Sequence, residues 1–330
     1  MKYITNLSNN PHYNLAFEEY CFKNLPRQED YVILWINGPS IIIGKNQNTL
    51  EEINQKYVEE NDIKIARRVT GGGAVYHDLG NLNFSLISNQ EGDERIDFKQ
   101  INVPILKSLE RLGVEAEFTG RNDLTVDGKK MSGIAQSVHK KRILNHGTIL
   151  FDTDLTVLSD ALNVKSDKIA SKGIKSTRSR VTNIKPYLEE DADILTFKEI
   201  LLKNIFEYNN EPLEELILND EQKAGIEELF EKRYSKWEWN YGESPDFTYK
   251  NYKRYPFGSL DVRILVEHGI IKNCKIYGDF FGTKDVSDLE DKIEGQRYER
   301  KSLEDHLKDQ PFSNYFGDIG VSGFMDLIFE

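Results

Sequence analysis

Cysteine is scarce in this chain of 330 residues, which contains only Cys21 and Cys274. The two lie far apart in sequence, and neither forms part of a Cys-x-x-Cys or Cys/His pattern. The sequence therefore gives no support for a disulfide framework or for a structural zinc site. Sparse, unpaired cysteines are typical of proteins from a reducing compartment.

Long apolar runs are absent as well. The first residues lack the apolar core of a signal peptide. No stretch approaches the ~18 consecutive apolar residues that a membrane-spanning helix requires. Together with the cysteine content, these absences predict a protein of the reducing cytoplasm that does not associate with membranes.

An excess of basic residues is the third missing feature. The chain has 43 Lys and Arg residues against 55 Asp and Glu residues, which gives a formal net charge of -12. Proteins that bind nucleic acids or anionic membranes without specificity carry a basic surface, so we expect neither partner. Any site for an anion must then be built locally from a few residues.

The order of apolar and polar residues predicts a mixed α/β protein. Helices are expected at residues 14–25, 50–61, 98–112 and within 195–231, and strands at 32–37, 40–45, 63–68, 81–88 and 114–119. Asn14 is the expected cap of the first helix, which would bury Cys21 on its apolar face. Asp127 and Gly128 separate strand-like residues 123–126 and 130–139, and they supply the positive φ values of a tight hairpin turn.

Residues 250–330 have the pattern of a separate small unit. Strand-like residues 260–267 and 270–277 flank His268 and Gly269, and short helical segments follow. The preceding stretch, residues 237–245, combines aromatic with turn-forming residues, as domain boundaries often do. We therefore predict a large domain of residues 1–245 and a small α+β domain of residues 250–330.

The most informative segment is residues 67–78, RRVTGGGAVYHD, in which three consecutive glycines follow two arginines. A backbone without Cβ atoms can adopt positive φ and turn successive N–H groups toward a phosphate or carboxylate. Arg68 adds a guanidinium suited to phosphate geometry, and His77 lies close to the glycines. We interpret the segment as an anion-binding loop. The simpler alternative is a flexible hairpin turn with a solvated basic end.

Two further segments place positive charge at defined positions. Lys130 stands at the start of a strand just after the Asp-Gly turn, where its ammonium could bridge a carboxylate and a phosphate. The alternative is that Lys129 and Lys130 are simply exposed at a hairpin tip. Residues 165–180 gather basic side chains around Gly173, although such a run is most often a solvated surface.

Taken in order, these segments resemble the lipoate-protein ligase family. The resemblance rests on RRxTGGGAVYHD at 67–78, GRNDL at 120–124, KxSG at 130–133, HGT at 146–148 and SKGIKSxRSRVxN at 171–183. The last block is similar to the family's adenylate-binding loop, and residues 237–245 are similar to its link to a small C-terminal domain. The match spans essentially the whole chain, and ordered blocks are more specific than one glycine motif.

The resemblance implies a fold like that of biotin protein ligases and class II aminoacyl-tRNA synthetases, followed by an accessory C-terminal domain. It also implies a two-step reaction. Lipoate and MgATP would give lipoyl-AMP and pyrophosphate, and a lysine amine of an apo lipoyl domain would then take the lipoyl group. The implied acceptors are the E2 subunits of 2-oxoacid dehydrogenases and the glycine cleavage H protein.

The resemblance also assigns roles to residues. Those that would contact ATP or the adenylate are Arg68, Gly73, Ala74, Val75, Tyr76 and Lys130. Those that would form the adenylate loop are Lys172, Gly173, Arg178 and Arg180. Lys130 would act as the catalytic cation by also holding the lipoyl carbonyl.

The remaining candidates concern lipoate and the metal. Gly73, His77 and His146 are candidates for contact with lipoate, although a lone histidine is more often structural. Apolar strand residues between positions 35 and 43 are expected near its dithiolane tail. Asp123 is the candidate ligand of Mg2+, because a cation bound to phosphates needs only one or two protein carboxylates. An aspartate that caps a turn is the alternative.

Three other functions are compatible with parts of the sequence. A same-fold acyltransferase that works through a cysteine thioester needs an accessible thiolate, but neither cysteine lies near the motif blocks. A transferase that accepts preformed lipoyl-AMP would need only the second half-reaction. A non-catalytic module could use residues 165–180 to bind an anion or a nucleic acid, against the net charge of the chain.

Overall fold

The computed structural model describes residues 1–89, 98–119, 122–162, 181–241 and 249–329. Its strands are β1 (Lys2–Tyr3), β2 (Tyr31–Ile36), β3 (Ser40–Ile43), β4 (Lys64–Arg67), β5 (Val75–His77), β6 (Asn81–Asn89), β7 (Glu117–Thr119), β8 (Asp123–Val126), β9 (Lys129–His139), β10 (Arg142–Leu150), β11 (Tyr249–Tyr255), β12 (Gly258–Glu267) and β13 (Ile270–Gly278).

Its helices are α1 (Pro11–Asn24), α2 (Thr49–Glu52), α3 (Gln55–Glu60), α4 (Phe98–Ile101), α5 (Val103–Glu110), α6 (Val157–Ala161), α7 (Ile194–Tyr208), α8 (Asp220–Leu229), α9 (Trp237–Asn240), α10 (Ser287–Ile293), α11 (Arg300–Leu307), α12 (Phe312–Tyr315) and α13 (Gly320–Phe329). A 3-10 turn spans Lys185–Tyr187, and a π-helical turn spans Phe230–Tyr234. Among these residues, no helix combines the length and the apolar character needed to cross a bilayer.

The main sheet has seven strands in the order β1-β2-β6-β10-β9-β8-β7. Successive side chains of a strand point to opposite faces, and β2 is buried on both. One face contributes Val32, Leu34 and Ile36 to a core shared with α5 and α7. The other face contributes Tyr31, Ile33 and Trp35 to a core shared with α1. The sheet is therefore covered on both sides.

A second, three-stranded sheet positions the glycine segment. Its central strand β3 pairs in parallel with β4 and antiparallel with β5. The chain that joins β4 to β5 must therefore cross the end of β3, from one neighbouring strand to the other. This corrects the hairpin alternative, in which β4 and the next strand would pair with each other. We call residues 68–74 the glycine loop.

The C-terminal unit has its own sheet, β11-β12-β13, and its own apolar core with α10 to α13. His268 and Gly269, with φ of 51° and 75°, form the predicted turn between β12 and β13. Asp127 and Gly128, with φ of 50° and 70°, form the other predicted turn. The mixed α/β class and the small α+β C-terminal unit are thus confirmed.

The predicted start of the first helix is wrong. The helix begins at Pro11, because the side chain of Asn10 accepts a hydrogen bond from the N–H of His12 and so caps it. Asn14, the expected cap, is buried within the helix, where its amide donates to Oδ1 of Asn37. The predicted burial of Cys21 is confirmed.

Three longer predicted helices are interrupted. The helix expected at 50–61 is split into α2 and α3, since Asn54 caps a new helix. The one expected at 98–112 breaks at Asn102, and Pro104 lies in the first turn of α5, where its missing N–H costs nothing. The region 195–231 is split between α7 and α8, where Asn219 and Gln222 form a capping box.

Candidate active site

A cavity lies between the main sheet, the glycine loop and the C-terminal unit. Its lining residues are Leu15, Trp35, Ile42, Arg68, Gly72, Gly73, Ala74, Val75, His77, Asn83, Asn122, Lys130, Gly133, Ile134, Ala135, His146, Gly147, Thr148 and Phe281. The cavity brings Arg68 and His77 of the glycine motif together with Lys130 and His146 of the later motifs, as the ordered blocks predict.

Lys130 and His146 both line this cavity, on the neighbouring strands β9 and β10. The ammonium of Lys130 extends over Gly133, and the next residue of β9, Ile134, pairs with Gly147, which adjoins His146. Apolar side chains, including Trp35 and Ile42, also line the cavity. This lining suits an acid with an apolar chain, whose carboxylate would be placed near the lysine.

Lys130 is held by a β-bulge. It pairs with Thr125, whereas Ser132 pairs with Leu124, so Met131 is the extra residue of β9. A bulge of this kind redirects the neighbouring side chains. Here Met131 is fully buried, and the side chain of Lys130 lines the cavity and extends over Gly133.

The ammonium of Lys130 has defined neighbours. Its Nζ lies 2.7 Å from Oδ1 of Asp123. It also crosses Gly133, where a Cβ atom would lie only 3.0 Å from Nζ. Lys129, by contrast, is exposed. The side chain of Lys130 is 36% exposed but ion-paired, so of the two lysines only Lys129 matches the alternative of a freely exposed side chain at a hairpin tip.

Asp123, the candidate magnesium ligand, lies beside Lys130, and its side chain is 21% exposed. Across the described parts of the chain, no cluster of three or more His, Cys, Asp or Glu side chains could hold a metal. A cation at Asp123 would therefore take most of its ligands from phosphate and water, as Mg2+ commonly does. The carboxylate fits that arrangement.

Arg68 organises the glycine loop from inside. Its Nη2 donates to the carbonyl oxygens of Gly71 and Gly73, at 2.7 Å and 2.9 Å. Nη1 donates to the carbonyl of Ile42 at 3.0 Å, and Nε donates to Oγ1 of Thr70 at 2.9 Å. A guanidinium has five N–H groups, so these contacts leave one for a ligand. Burial lowers the pKa of Arg68 to about 10, which keeps it charged at neutral pH.

Arg67, the residue before the glycine loop, binds the neighbouring segment of residues 44–47. Its guanidinium donates to the backbone carbonyls of Gly44, Lys45 and Gln47, at 2.7 to 3.0 Å. Its Nε donates to the carbonyl of Trp239 at 2.9 Å, far along the chain. Burial lowers the pKa of Arg67 to about 10. Nη2 donates to Oγ1 of Thr49 at 2.6 Å, so Arg67 is a structural cation held by backbone oxygens and one hydroxyl.

His77 is buried with one nitrogen unsatisfied. Its Nδ1 lies 3.0 Å from the amide nitrogen of Asn37, which can only donate. The proton of the neutral ring therefore resides on Nε2, a buried atom with no partner in the structure. Burial, followed by the charge of Arg68, lowers the pKa of His77 to about 3. The ring is neutral at physiological pH and presents a spare donor.

His146 has both nitrogens occupied by protein. Nδ1 lies 2.8 Å and 2.9 Å from the two carboxylate oxygens of Glu18, and Nε2 lies 2.8 Å from Oγ1 of Thr70. The imidazole also lines the cavity. In this arrangement its ring carbons, and not its nitrogens, are the atoms available to a ligand.

The other members of the motif are distributed unevenly. Gly73, Ala74 and Val75 line the cavity. Tyr76 does not, because its side chain packs in the core beneath the second sheet, where burial raises its pKa to about 12. The adenylate-loop candidates Lys172, Gly173, Arg178 and Arg180 lie outside the described residues.

The C-terminal unit touches the glycine loop directly. A Cβ at Gly71 would lie 2.2 Å from the carbonyl oxygen of Phe280, and one at Gly72 would lie 3.0 Å from the Phe281 ring. Nζ of Lys45 pairs with Asp285 at 2.6 Å. Only glycines allow this close packing, so the C-terminal unit supplies one wall of the cavity.

Sequence patterns alone missed several residues around the cavity. Glu18, Asn37 and Phe281 act through contacts between distant parts of the chain, for which a single sequence carries no local signal. Asn122 and Thr148 belong to the GRNDL and HGT blocks, so the motifs contained them without giving them a role. Asn122 lies against β9, with its amide donating to the carbonyl of Ile134 at 2.8 Å.

Comparison with known proteins identifies the family. Residues 10–206 match the lipoyl protein ligase A/B catalytic domain, and residues 244–328 match the bacterial lipoate protein ligase C-terminus. The chain is 50% identical to lipoate-protein ligase LplJ of Bacillus subtilis, over 100% of both chains.

Solved structures agree with this match. The structure of P. falciparum LipL1 in complex with lipoate superposes with a TM-score of 0.78 at 28% identity, covering 94% of each chain. That of lipoate-protein ligase A bound with ATP gives a TM-score of 0.65 at 30% identity, covering 73% of this chain and 98% of that one. With the motif blocks gathered around one cavity and both family regions matched, the chain belongs to the lipoate-protein ligase family.

Proposed function

We propose that this protein activates lipoate with MgATP and transfers the lipoyl group to a lysine of apo lipoyl domains. The observation that carries the proposal is the placement of Lys130. Lys130 lines the cavity that the glycine loop borders, and its ammonium lies beside Asp123. An acid bound in the cavity would present its carboxylate where a nucleotide meets a fixed cation.

In the first step, a carboxylate oxygen of lipoate attacks the α-phosphorus of ATP. A new P–O bond forms, and the bond to the departing pyrophosphate breaks. Two anions must approach each other, so a cation between them lowers the repulsion and stabilises charge in the transition state. Lys130 has the position and the charge for this task, and Arg68 would contribute its remaining N–H group.

In the second step, the ε-amine of the acceptor lysine attacks the acyl carbon of lipoyl-AMP. An amide bond forms, the C–O bond to AMP breaks, and the amine loses a proton to solvent. Negative charge develops on the acyl oxygen, and Lys130 would stabilise it. His77 would donate from Nε2 to the bound ligand, because this buried donor has no other partner in the structure.

Asp123 would hold Mg2+ at the phosphates. When bound, the cation would neutralise phosphate charge during the first step. The carboxylate now faces Lys130 at 2.7 Å, so entry of a nucleotide with its metal would redistribute these partners. Gly73, Ala74 and Val75, which line the cavity, would contact the nucleotide or the adenylate.

The domain division is also part of the proposal. A large domain of residues 1–245 and a small one of residues 250–330 agree with the separate sheet and core of the C-terminal unit. A reducing cytoplasm agrees with two buried, unpaired cysteines. The acceptors would be E2 subunits of 2-oxoacid dehydrogenases and the glycine cleavage H protein.

A cysteine-dependent acyltransferase fits this structure poorly. Both thiols are completely buried, and burial raises the pKa of Cys21 and of Cys274, so neither thiolate is available. Full activity in a Cys21→Ser, Cys274→Ser double variant would remove this alternative. Loss of activity without loss of folding would revive it.

The deciding experiment is incubation with ATP, Mg2+, lipoate and a panel of apo lipoyl domains, followed by intact-mass measurement. The expected result is the mass of one lipoyl group on an acceptor, only when ATP is present. Lipoate-dependent exchange of label between pyrophosphate and ATP tests the first step separately. A protein that transfers from added lipoyl-AMP but shows no exchange would be a transferase, and the proposed activation would be wrong.

A further inference from the structure

We propose that Glu18 is a positioning residue for the activation step, acting through His146 and Thr70 to fix Arg68 and the glycine loop. This inference rests on the proposed function, in which the loop holds the nucleotide. Glu18 lies on α1 and belongs to none of the motif blocks. It is nevertheless connected to the loop by an unbroken series of hydrogen bonds.

The series begins in the interior. Glu18 is 1% exposed, and its carboxylate accepts a hydrogen bond from the hydroxyl of Ser85 at 2.5 Å. The same hydroxyl accepts one from Nε1 of Trp35 at 2.9 Å. The carboxylate also accepts from Nδ1 of His146, which lies within 2.9 Å of both oxygens. An ionised carboxylate only accepts, so Nδ1 carries the proton.

The direction of the next two bonds follows from the groups involved. A guanidinium only donates, so Nε of Arg68 gives its hydrogen to Oγ1 of Thr70, at 2.9 Å. The hydroxyl hydrogen of Thr70 is then available to Nε2 of His146, at 2.8 Å. Every donor points toward Glu18, and each bond determines the orientation of the next. Hydrogen bonds arranged head to tail in this way reinforce one another.

Charge supports the same arrangement. Arg68 is 6% exposed, and burial lowers the pKa of Arg68 to about 10. The negative charge of Glu18 acts in the opposite direction and favours the charged guanidinium. An isolated buried cation would be costly, so Glu18 compensates the charge that holds the loop. Nη2 of Arg68 donates to the carbonyl oxygens of Gly71 and Gly73 and so fixes the orientation of these two peptide groups.

The series of hydrogen bonds thereby connects two walls of the cavity. The ring of His146 lines the cavity from β10, whereas Arg68 shapes the loop expected to contact ATP. If this series of hydrogen bonds positions the glycine loop, breaking it at Glu18 or at Thr70 should misplace the same backbone N–H groups of the loop. A misplacement of about 1 Å can cost about 100-fold in rate.

The test uses three variants: Glu18→Gln, Thr70→Val and the double variant. Each single change should lower kcat/KM for ATP in the exchange of label with pyrophosphate by about 100-fold. The double variant should lose about the same, because both changes break one connected unit, whereas independent effects would multiply to about 10,000-fold. Thr70→Ser keeps the hydroxyl and should restore most activity. A multiplicative double variant overturns the proposal.

Glu19→Gln is the matched control. Glu19 is the neighbouring carboxylate on α1 and is also buried, but it binds Lys23, Arg233 and Tyr234 and does not touch the series. It should lower thermal stability while leaving exchange within about 3-fold, and its effect should multiply with that of Thr70→Val. Equal losses of exchange in Glu18→Gln and Glu19→Gln would also overturn the proposal.

A second measurement does not depend on activity. The 15N signals of the His146 side chain should show a protonated Nδ1 and an unprotonated Nε2 in the wild-type protein, and this pattern should change in Glu18→Gln. A ring protonated on Nε2 alone would refute the series of bonds. A wild-type protein without exchange would instead refute the proposed function, and the NMR result would still decide the inference.

Discussion

Nζ of Lys130 lies 2.7 Å from Oδ1 of Asp123, over the bare backbone of Gly133. In the proposed function, Lys130 would be the cation for the reacting carboxylate, and Asp123 would be the anion for a metal. Its neighbour Lys129 is exposed on the same strand, which offers a direct comparison between two adjacent lysines.

Lys130→Ala should lower kcat/KM for lipoate-dependent pyrophosphate exchange by at least about 100-fold, because it removes the charge that stabilises the transition state. The far-ultraviolet circular dichroism should remain that of the wild type. Lys129→Ala is the control and should retain near-normal exchange. Near-normal turnover in Lys130→Ala would show that Lys130 is not the catalytic cation.

Gly72→Val should block adenylate formation. Gly72 has φ of 94°, and a Cβ there would lie 2.9 Å from Nη2 of Arg68 and 3.0 Å from Phe281. The strained backbone alone should cost about 1–3 kcal/mol. Gly269→Val is the control, since Gly269 has φ of 75° but nothing within 4 Å of its added Cβ. Exchange should be lost only in Gly72→Val, and comparable exchange in the two variants would contradict the close packing.

Arg67→Met should destabilise the fold by at least about 3 kcal/mol, because several buried carbonyl oxygens would lose their donor. Urea unfolding measures the change. Arg111→Met is the control, because Arg111 pairs with Glu207 on the surface, where such a pair contributes about 1 kcal/mol or less. If Arg67→Met unfolds at the urea concentration of the control, the role of Arg67 as a structural anchor is wrong.

Stability should fall as the pH is lowered below about 6.5. The pKa of His77 is about 3 in the folded protein and 6.5 as a free side chain, so between these values the unfolded chain binds the additional proton. From pH 7 to pH 5 this linkage should remove about 2 kcal/mol.

The contribution of His77 can be isolated with two variants. Between pH 7 and pH 5, His77→Gln should lose about 2 kcal/mol less stability than the wild type loses. His268→Gln, at an exposed turn, should behave like the wild type. Identical pH dependence in the wild type and His77→Gln would show that His77 is not held neutral by burial.

Local chemistry made parts of this fold predictable. Asp127 with Gly128 and His268 with Gly269 form turns because their own backbones accept positive φ, and strand alternation located the sheets. Pro104 was a visible signal that the helix expected at 98–112 would restart, since proline belongs in a first turn. The motif blocks also located the cavity and Lys130.

Distant contacts were not predictable in the same way. Glu18 reaches His146 across 128 positions, and Asn240 binds the backbone of Arg67 across 173. No spacing rule relates such residues, because tertiary packing alone brings them together. The closure of the cavity by Phe281 is of the same kind.

The anchoring of Arg67 to Trp239 and Asn240 also has a consequence during synthesis. The backbone N–H of Arg67 donates to Oδ1 of Asn240, which is made 173 residues later. At roughly 5–20 residues per second, a ribosome needs about 10 to 35 s to cover that distance. The glycine loop therefore leaves the ribosome long before Asn240 exists to hold Arg67, and longer still before Phe280 and Phe281 can pack against the loop.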